Sequence, residues 1–140
     1  MFRVTRRYEF PASHRLHSPK LSENENQRIY GKCNNPYGHG HNYVVEISVR
    51  GPIDEATGRA VDPAALDGLV EREILKPLGH SDLNRDAAFQ QVVPTTENLA
   101  VEIRRRLAVN WSKIFPGAWP KLEKIRIVET PRNIFEIEAT

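Results

Sequence analysis

The chain has 140 residues, 39% hydrophobic and 27% charged, which suits a single soluble globular domain over residues 1–140 and not two. Twenty basic residues against 18 acidic leave a net charge of +2, too even for bulk attraction to nucleic acid. One cysteine excludes an internal disulfide, and neither a signal-like leader nor the roughly 20 apolar residues of a membrane helix is visible, so a cytoplasmic protein without membrane partners is expected.

Residues 2–10 alternate. Phe2, Val4, Tyr8 and Phe10 share one face, Arg3, Thr5, Arg7 and Glu9 the other, with Arg6 out of phase; this predicts a half-buried strand. Residues 17–38 are rich in Ser, Asn, Pro and Gly, lack either periodicity and read as a long loop, a feature uncommon without a function. Alternation returns from His41 to Arg50, with Tyr43, Val45, Ile47 and Val49 on one side. The stretch VDPAALDGLVEREILKP predicts a helix capped by Asp62, striped by Leu66, Leu69, Val70 and Ile74, and ended by Pro77. A second helix begins at TTEN, with Thr95 or Thr96 as cap and Leu99, Ile103 and Leu107 at four-residue spacing. LEKIRIVET, the connection PRNI, and FEIEA predict a closing antiparallel hairpin. Two strand pairs flanking two helices give an α+β fold: a four-stranded antiparallel sheet with both helices on one face. Its open edges favour continuation into a second subunit.

Chemistry concentrates in CNNPYGHGH, residues 33–41. On a strand starting at His39, that residue and His41 point the same way, about 6.5–7 Å apart at the backbone. Two such imidazoles can lean onto one ion, and Gly38 and Gly40 remove bulk beside them. A lone H-x-H is more often a polar turn. Here the flanking glycines, the apolar run behind, and His14 at the end of the first strand favour a metal site. Three imidazoles with one open position is the arrangement of catalytic zinc. His17 is out of phase and reads as solvated.

Cys33 can be read as a fourth metal ligand, a small buried hydrophobe, or a nucleophile or base. Lys32 and a nearby dication would depress its pKa and favour thiolate. His80, in LGHSDLN, reads alone as a surface histidine, with Asp82 and Asp86 near enough in sequence to orient its ring. Glu129 continues the apolar face of Ile125 and Ile127. An acid there either meets water at the strand end or accepts hydrogen bonds from a flat heterocycle with adjacent N–H and NH₂ donors. Thr95, Thr96 and Glu97, at a helix start with free backbone N–H groups, offer further polar contacts.

FPASHRL, GKCNNPYGHGHNYVVEISV, LGHSDLN, PTTENLAVEI and IRIVET together resemble the 6-pyruvoyl-tetrahydropterin synthase family, which includes the 6-carboxytetrahydropterin synthases of queuosine biosynthesis. The resemblance runs from about Tyr8 to Glu138, and the Cys-Asn-Asn-Pro-x-Gly-His-Gly-His stretch is its most specific part. It implies the tunnelling fold (T-fold), in which three subunits close a barrel and two trimers stack into a homohexamer with active sites between subunits. It implies Zn²⁺ on His14, His39 and His41, Cys33 as base, His80 as its proton-transfer counterpart, and Glu129 with Thr95, Thr96 and Glu97 holding the pterin. The implied reaction is elimination of triphosphate from 7,8-dihydroneopterin triphosphate to 6-pyruvoyl-tetrahydropterin, with basic residues receiving the triphosphate. The 6-carboxy product with release of acetaldehyde, or a non-catalytic zinc- and pterin-binding homologue, are the alternatives. A redox sensor built on Cys33 would need no metal. The family carries an aspartate directly before the catalytic histidine; here that position is Gly79, and Asp82 is the expected substitute.

Overall fold

The computed structural model describes residues 1–139. Strand β1 (Phe2–His14) pairs antiparallel with β2 (His39–Gly51), β2 with β4 (Lys121–Thr130), and β4 with β5 (Asn133–Glu138). The four predicted strands are all present. A two-residue strand, β3 (Ser81–Asp82), adds parallel to Ala12–Ser13 of β1, so the sheet has five strands in the order β3-β1-β2-β4-β5. Nothing in two residues of sequence could announce it.

One face of the sheet carries the core. Phe10, Ala12, Tyr43, Val45, Ile47, Ile125 and Ile127 are buried there beneath two helices. The first, α2 (Pro63–Val70), is capped by the Asp62 carboxylate on the N–H groups of Ala64 and Ala65 and seats Leu66, Leu69 and Val70. It runs into one wide π-turn, Glu71–Leu75, and a last turn, Lys76–Leu78. Pro77 lies in that last turn, one residue before the helix ends at Leu78, as expected of a proline that closes a helix. The second, α3 (Thr96–Ile114), begins with Thr95 accepting from the Asn98 N–H and buries Leu99, Ile103 and Leu107, the predicted stripe. Arg6 breaks the alternation of β1 for a reason. It faces the helices and grips Asp67 of α2 in a two-pronged ion pair, with the Tyr8 hydroxyl donating to the same carboxylate.

The opposite face is polar. Arg7, Glu46, Arg126 and Glu136 stand in one row across β1, β2, β4 and β5, and Glu46, 8% exposed, accepts from both arginines at 2.8 and 2.7 Å.

The expectation of a featureless loop over residues 17–38 is overturned. A helix, α1 (Glu23–Tyr30), opens on a reciprocal cap between Ser22 and Glu25. Its one buried residue is Asn26, whose side chain accepts from Ser18 N–H and donates to the carbonyls of Ser18, Leu21 and Ser22. A helix anchored by an amide has no apolar stripe, so hydrophobic periodicity passes it by.

Candidate metal centre

The β1–β2 register places His14 directly opposite His39, and His41 opposite Ala12 two residues further along the same face. The three rings meet with centroids 5.0 Å (His14–His39), 5.0 Å (His14–His41) and 4.6 Å (His39–His41) apart. Gly38 makes this approach possible. It sits at φ +69°, and a Cβ there would stand 2.7 Å from the His14 carbonyl oxygen. Gly40, expected to matter equally, has only an ordinary 3.7 Å neighbour and carries no such requirement.

The Nε2 atoms of His14, His39 and His41 are all buried, and each lacks a hydrogen-bond partner. Buried polar atoms are nearly always satisfied, so three orphans converging on one point call for a shared partner. The Nδ1–H of His14 donates to the Pro94 carbonyl at 2.9 Å, which turns its Nε2 lone pair toward the other two rings. The Tyr43 hydroxyl lies 3.3 Å from the same Nδ1. Burial holds the pKa of His14 and of His39 below the ordinary histidine range, and the neighbouring imidazoles add to this. Neutral, inward-facing nitrogen donors fit a borderline-soft dication such as zinc.

Cys33 belongs to the same cluster. Its Sγ and one donor atom each from His14 and His39 lie within 4.8 Å of one another. Geometry alone would accept the thiol in place of His41. Each of the three imidazoles has a stranded buried nitrogen, whereas a half-buried thiol needs no partner. Against the expectation from sequence, the chain's own groups push the Cys33 thiol up: burial first, then the Glu129 carboxylate, with Lys32 opposing. The charge that would depress it is the ion's.

Glu129 borders the cluster, its Oε1 3.7 Å from His41 Nε2 and its Oε2 accepting from the Thr96 hydroxyl. Thr96 is 2% exposed, so this pair is a fixed acceptor at the wall of the site. Thr95 spends its hydroxyl on the helix cap, and Glu97 is exposed in the first turn. Of the expected pterin-binding set, only Thr96 joins Glu129.

His80 is not brought into this cluster. It is exposed and held at φ +56°, uncommon for a residue with a side chain. Its backbone N–H donates to the Pro11 carbonyl at 2.6 Å, and it lines a groove of about 550 Å³ with Pro11, Ser13, Gly40, His41, Asn42 and Asp82. Asp82 does not orient it. That carboxylate accepts from Asn84 N–H, and Asp86 accepts from Arg106 and from Ala88 N–H. Nor is Gly79 a free place for an acid, since a Cβ there would lie 2.5 Å from the Leu75 carbonyl oxygen. Gly79→Asp is therefore expected to cost roughly 1–3 kcal/mol of stability and to leave activity unrestored. Urea unfolding together with a turnover assay checks both; a variant as stable as the parent and faster would refute it.

Three contributors escape sequence reasoning: Tyr43, Pro94 and Asn34. Asn34 is buried and donates to Leu16 O and His17 Nδ1, tying the 15–17 segment to the cysteine turn. Only the paired asparagines after the cysteine hinted at it. A cavity of about 750 Å³, walled by Ile53, Phe115 and Trp119, involves none of these side chains.

A family profile described as 6-pyruvoyl tetrahydropterin synthase matches residues 3–140. The chain is 50% identical over 132 residues to the 6-pyruvoyl tetrahydrobiopterin synthase of Poecilia reticulata, covering 94% of this chain and 86% of the relative. It superimposes on the Caenorhabditis elegans 6-pyruvoyl tetrahydropterin synthase with TM-score 0.90 at 38% identity, covering 99% of this chain and 96% of that one. To the 6-carboxy-5,6,7,8-tetrahydropterin synthase of Rickettsia felis it is 25% identical over 153 residues, covering 98% of this chain and all of the relative.

Proposed function

The chain belongs to the 6-pyruvoyl tetrahydropterin synthase family, and from that premise we propose that it is a cytoplasmic, zinc-dependent lyase that converts 7,8-dihydroneopterin triphosphate to 6-pyruvoyl-tetrahydropterin. The observation that carries the reading is the set of three stranded imidazole nitrogens facing one point, with a carboxylate acceptor on its wall.

His14, His39 and His41 would hold Zn²⁺, which supplies Lewis acidity toward the side-chain hydroxyls and the adjacent C–H bonds and favours the Cys33 thiolate. Glu129, fixed by Thr96, accepts two hydrogen bonds from the pterin's N–H and NH₂ and so sets which side-chain carbon faces Cys33. The Cys33 thiolate takes the proton from that carbon. The electrons of the broken C–H bond form a carbon–carbon double bond as the C–O bond to triphosphate breaks, and triphosphate leaves with its electron pair. The enol becomes a methyl ketone. Loss of a second proton from the neighbouring carbinol carbon, with protonation of the ring C=N, oxidises the side chain and reduces the ring within the one molecule. His80, exposed on the groove side, is suited to proton transfer across a seam between copies, as in a homohexamer with shared active sites.

Higher identity to relatives of the pyruvoyl name than to the Rickettsia protein supports the pyruvoyl product over the carboxy one. Incubation of zinc-loaded protein with dihydroneopterin triphosphate, followed by mass spectrometry, tests this. The expected products are 6-pyruvoyl-tetrahydropterin and triphosphate. A 6-carboxy product with acetaldehyde would replace the pyruvoyl assignment, and intact substrate would favour a binding protein.

A further inference from the structure

Eight of the 20 basic side chains in this protein contact a carboxylate among the described residues. Two of the cations without such a partner stand beside the thiol. Leu16 N–H donates to the Cys33 carbonyl at 2.8 Å, stitching two segments together, and each segment carries one cation immediately before the stitch: Arg15 and Lys32. Among the described residues neither has an acidic partner.

Arg15 is held in place. Its backbone N–H donates to Asn84 Oδ1 at 2.6 Å, its carbonyl accepts from Asn84 Nδ2 at 2.9 Å, and its Nε donates to the Asn34 carbonyl at 3.2 Å. These contacts fix the guanidinium while leaving its Nη groups free. The residue lines a recess of about 280 Å³ with His14, Pro36, Tyr37, Gly38, Asp82 and Asn84. The recess holds one acid, Asp82, whose oxygens face Asn84 N–H and Arg85. Lys32 is exposed and directly precedes Cys33.

We propose that Arg15 and Lys32 form an oligophosphate clamp, Arg15 as the fixed two-pronged donor and Lys32 as the mobile point charge, which receives the triphosphate of the substrate. The assignment rests on the reading of the substrate as a triphosphate ester. A guanidinium fork fixed beforehand suits phosphate oxygens, and a charged, departing leaving group gains most from cations that need no rearrangement. Each cation lies one residue from the Leu16–Cys33 backbone bond, which puts the clamp at the cysteine turn.

The test uses full-length, zinc-loaded protein with inorganic tripolyphosphate and, separately, unphosphorylated 7,8-dihydroneopterin. Zinc content is measured before and after each calorimetric titration. Arg15→Gln and Lys32→Gln should each weaken tripolyphosphate binding and raise KM for the triphosphate ester, by about tenfold or more for Arg15. Affinity for dihydroneopterin should be unchanged, and Arg15→Lys should recover part of the loss. Should Arg15→Gln fold poorly through loss of its Asn34 contact, Lys32→Gln decides, because Lys32 has no side-chain bond in the structure. Tripolyphosphate binding by the variants equal to the parent's, or none by the parent, overturns the clamp. If the parent binds tripolyphosphate through Arg15 and Lys32 yet does not turn the ester over, the clamp stands and the lyase reading falls.

Discussion

Protein carrying His39→Ala is expected to leave purification nearly free of zinc, with affinity reduced by well over the roughly 10–100-fold that loss of a mere supporting contact costs. His39 is the ligand to remove first. His14 is buried among Tyr43 and Pro94, so its loss would confound packing with coordination, whereas His39 is only partly covered and faces no core residue but the cluster. Metal analysis and chelator competition give the answer, with far-UV circular dichroism to confirm that the sheet survives. Zinc retained at the parent's affinity would mean that the three stranded nitrogens do not act as a set.

The second large effect belongs to the thiol. Cys33→Ala is expected to lower kcat by about 10²–10⁴-fold, the range for removal of a positioned base, while zinc content and affinity for dihydroneopterin stay near the parent's. The pair of variants separates two roles that proximity leaves open, since Sγ lies within 4.8 Å of donor atoms of His14 and His39. A ligand thiol would lose metal on mutation, as His39→Ala does. A base loses rate alone. Because burial and Glu129 push the thiol up, metal-free protein should also react slowly with a thiol reagent at neutral pH, and zinc should speed the reaction.

Much of this architecture was readable from residue order. The strands announce themselves by alternation, and α2 and α3 by caps and stripes, because each buries one apolar face. The convergence of the three histidines was legible too, since His39 and His41 sit two apart on a strand and His14 ends the strand that pairs with it. What stayed hidden shares a cause. Helix α1 is anchored by the amide of Asn26, β3 is a pair of backbone contacts, and Pro94 contributes only a carbonyl. Backbone and amide bonds leave no periodic mark. His80 was legible by resemblance alone, and its place apart from Cys33 follows from a left-handed turn that no composition rule foretells.

The charged row across the polar face gives the sheet a direction. It starts in a cation at Arg7 on β1 and ends in an anion at Glu136 on β5, and both strands have a free edge among the described residues over most of their length. Two copies meeting β1 to β1, or β5 to β5, would set like signs side by side. Meeting β5 to β1, they extend the plus-minus alternation without a fault. The edges are thus complementary in sign, so a head-to-tail contact between copies would avoid the like-charge meeting that a two-fold pair along either edge would make.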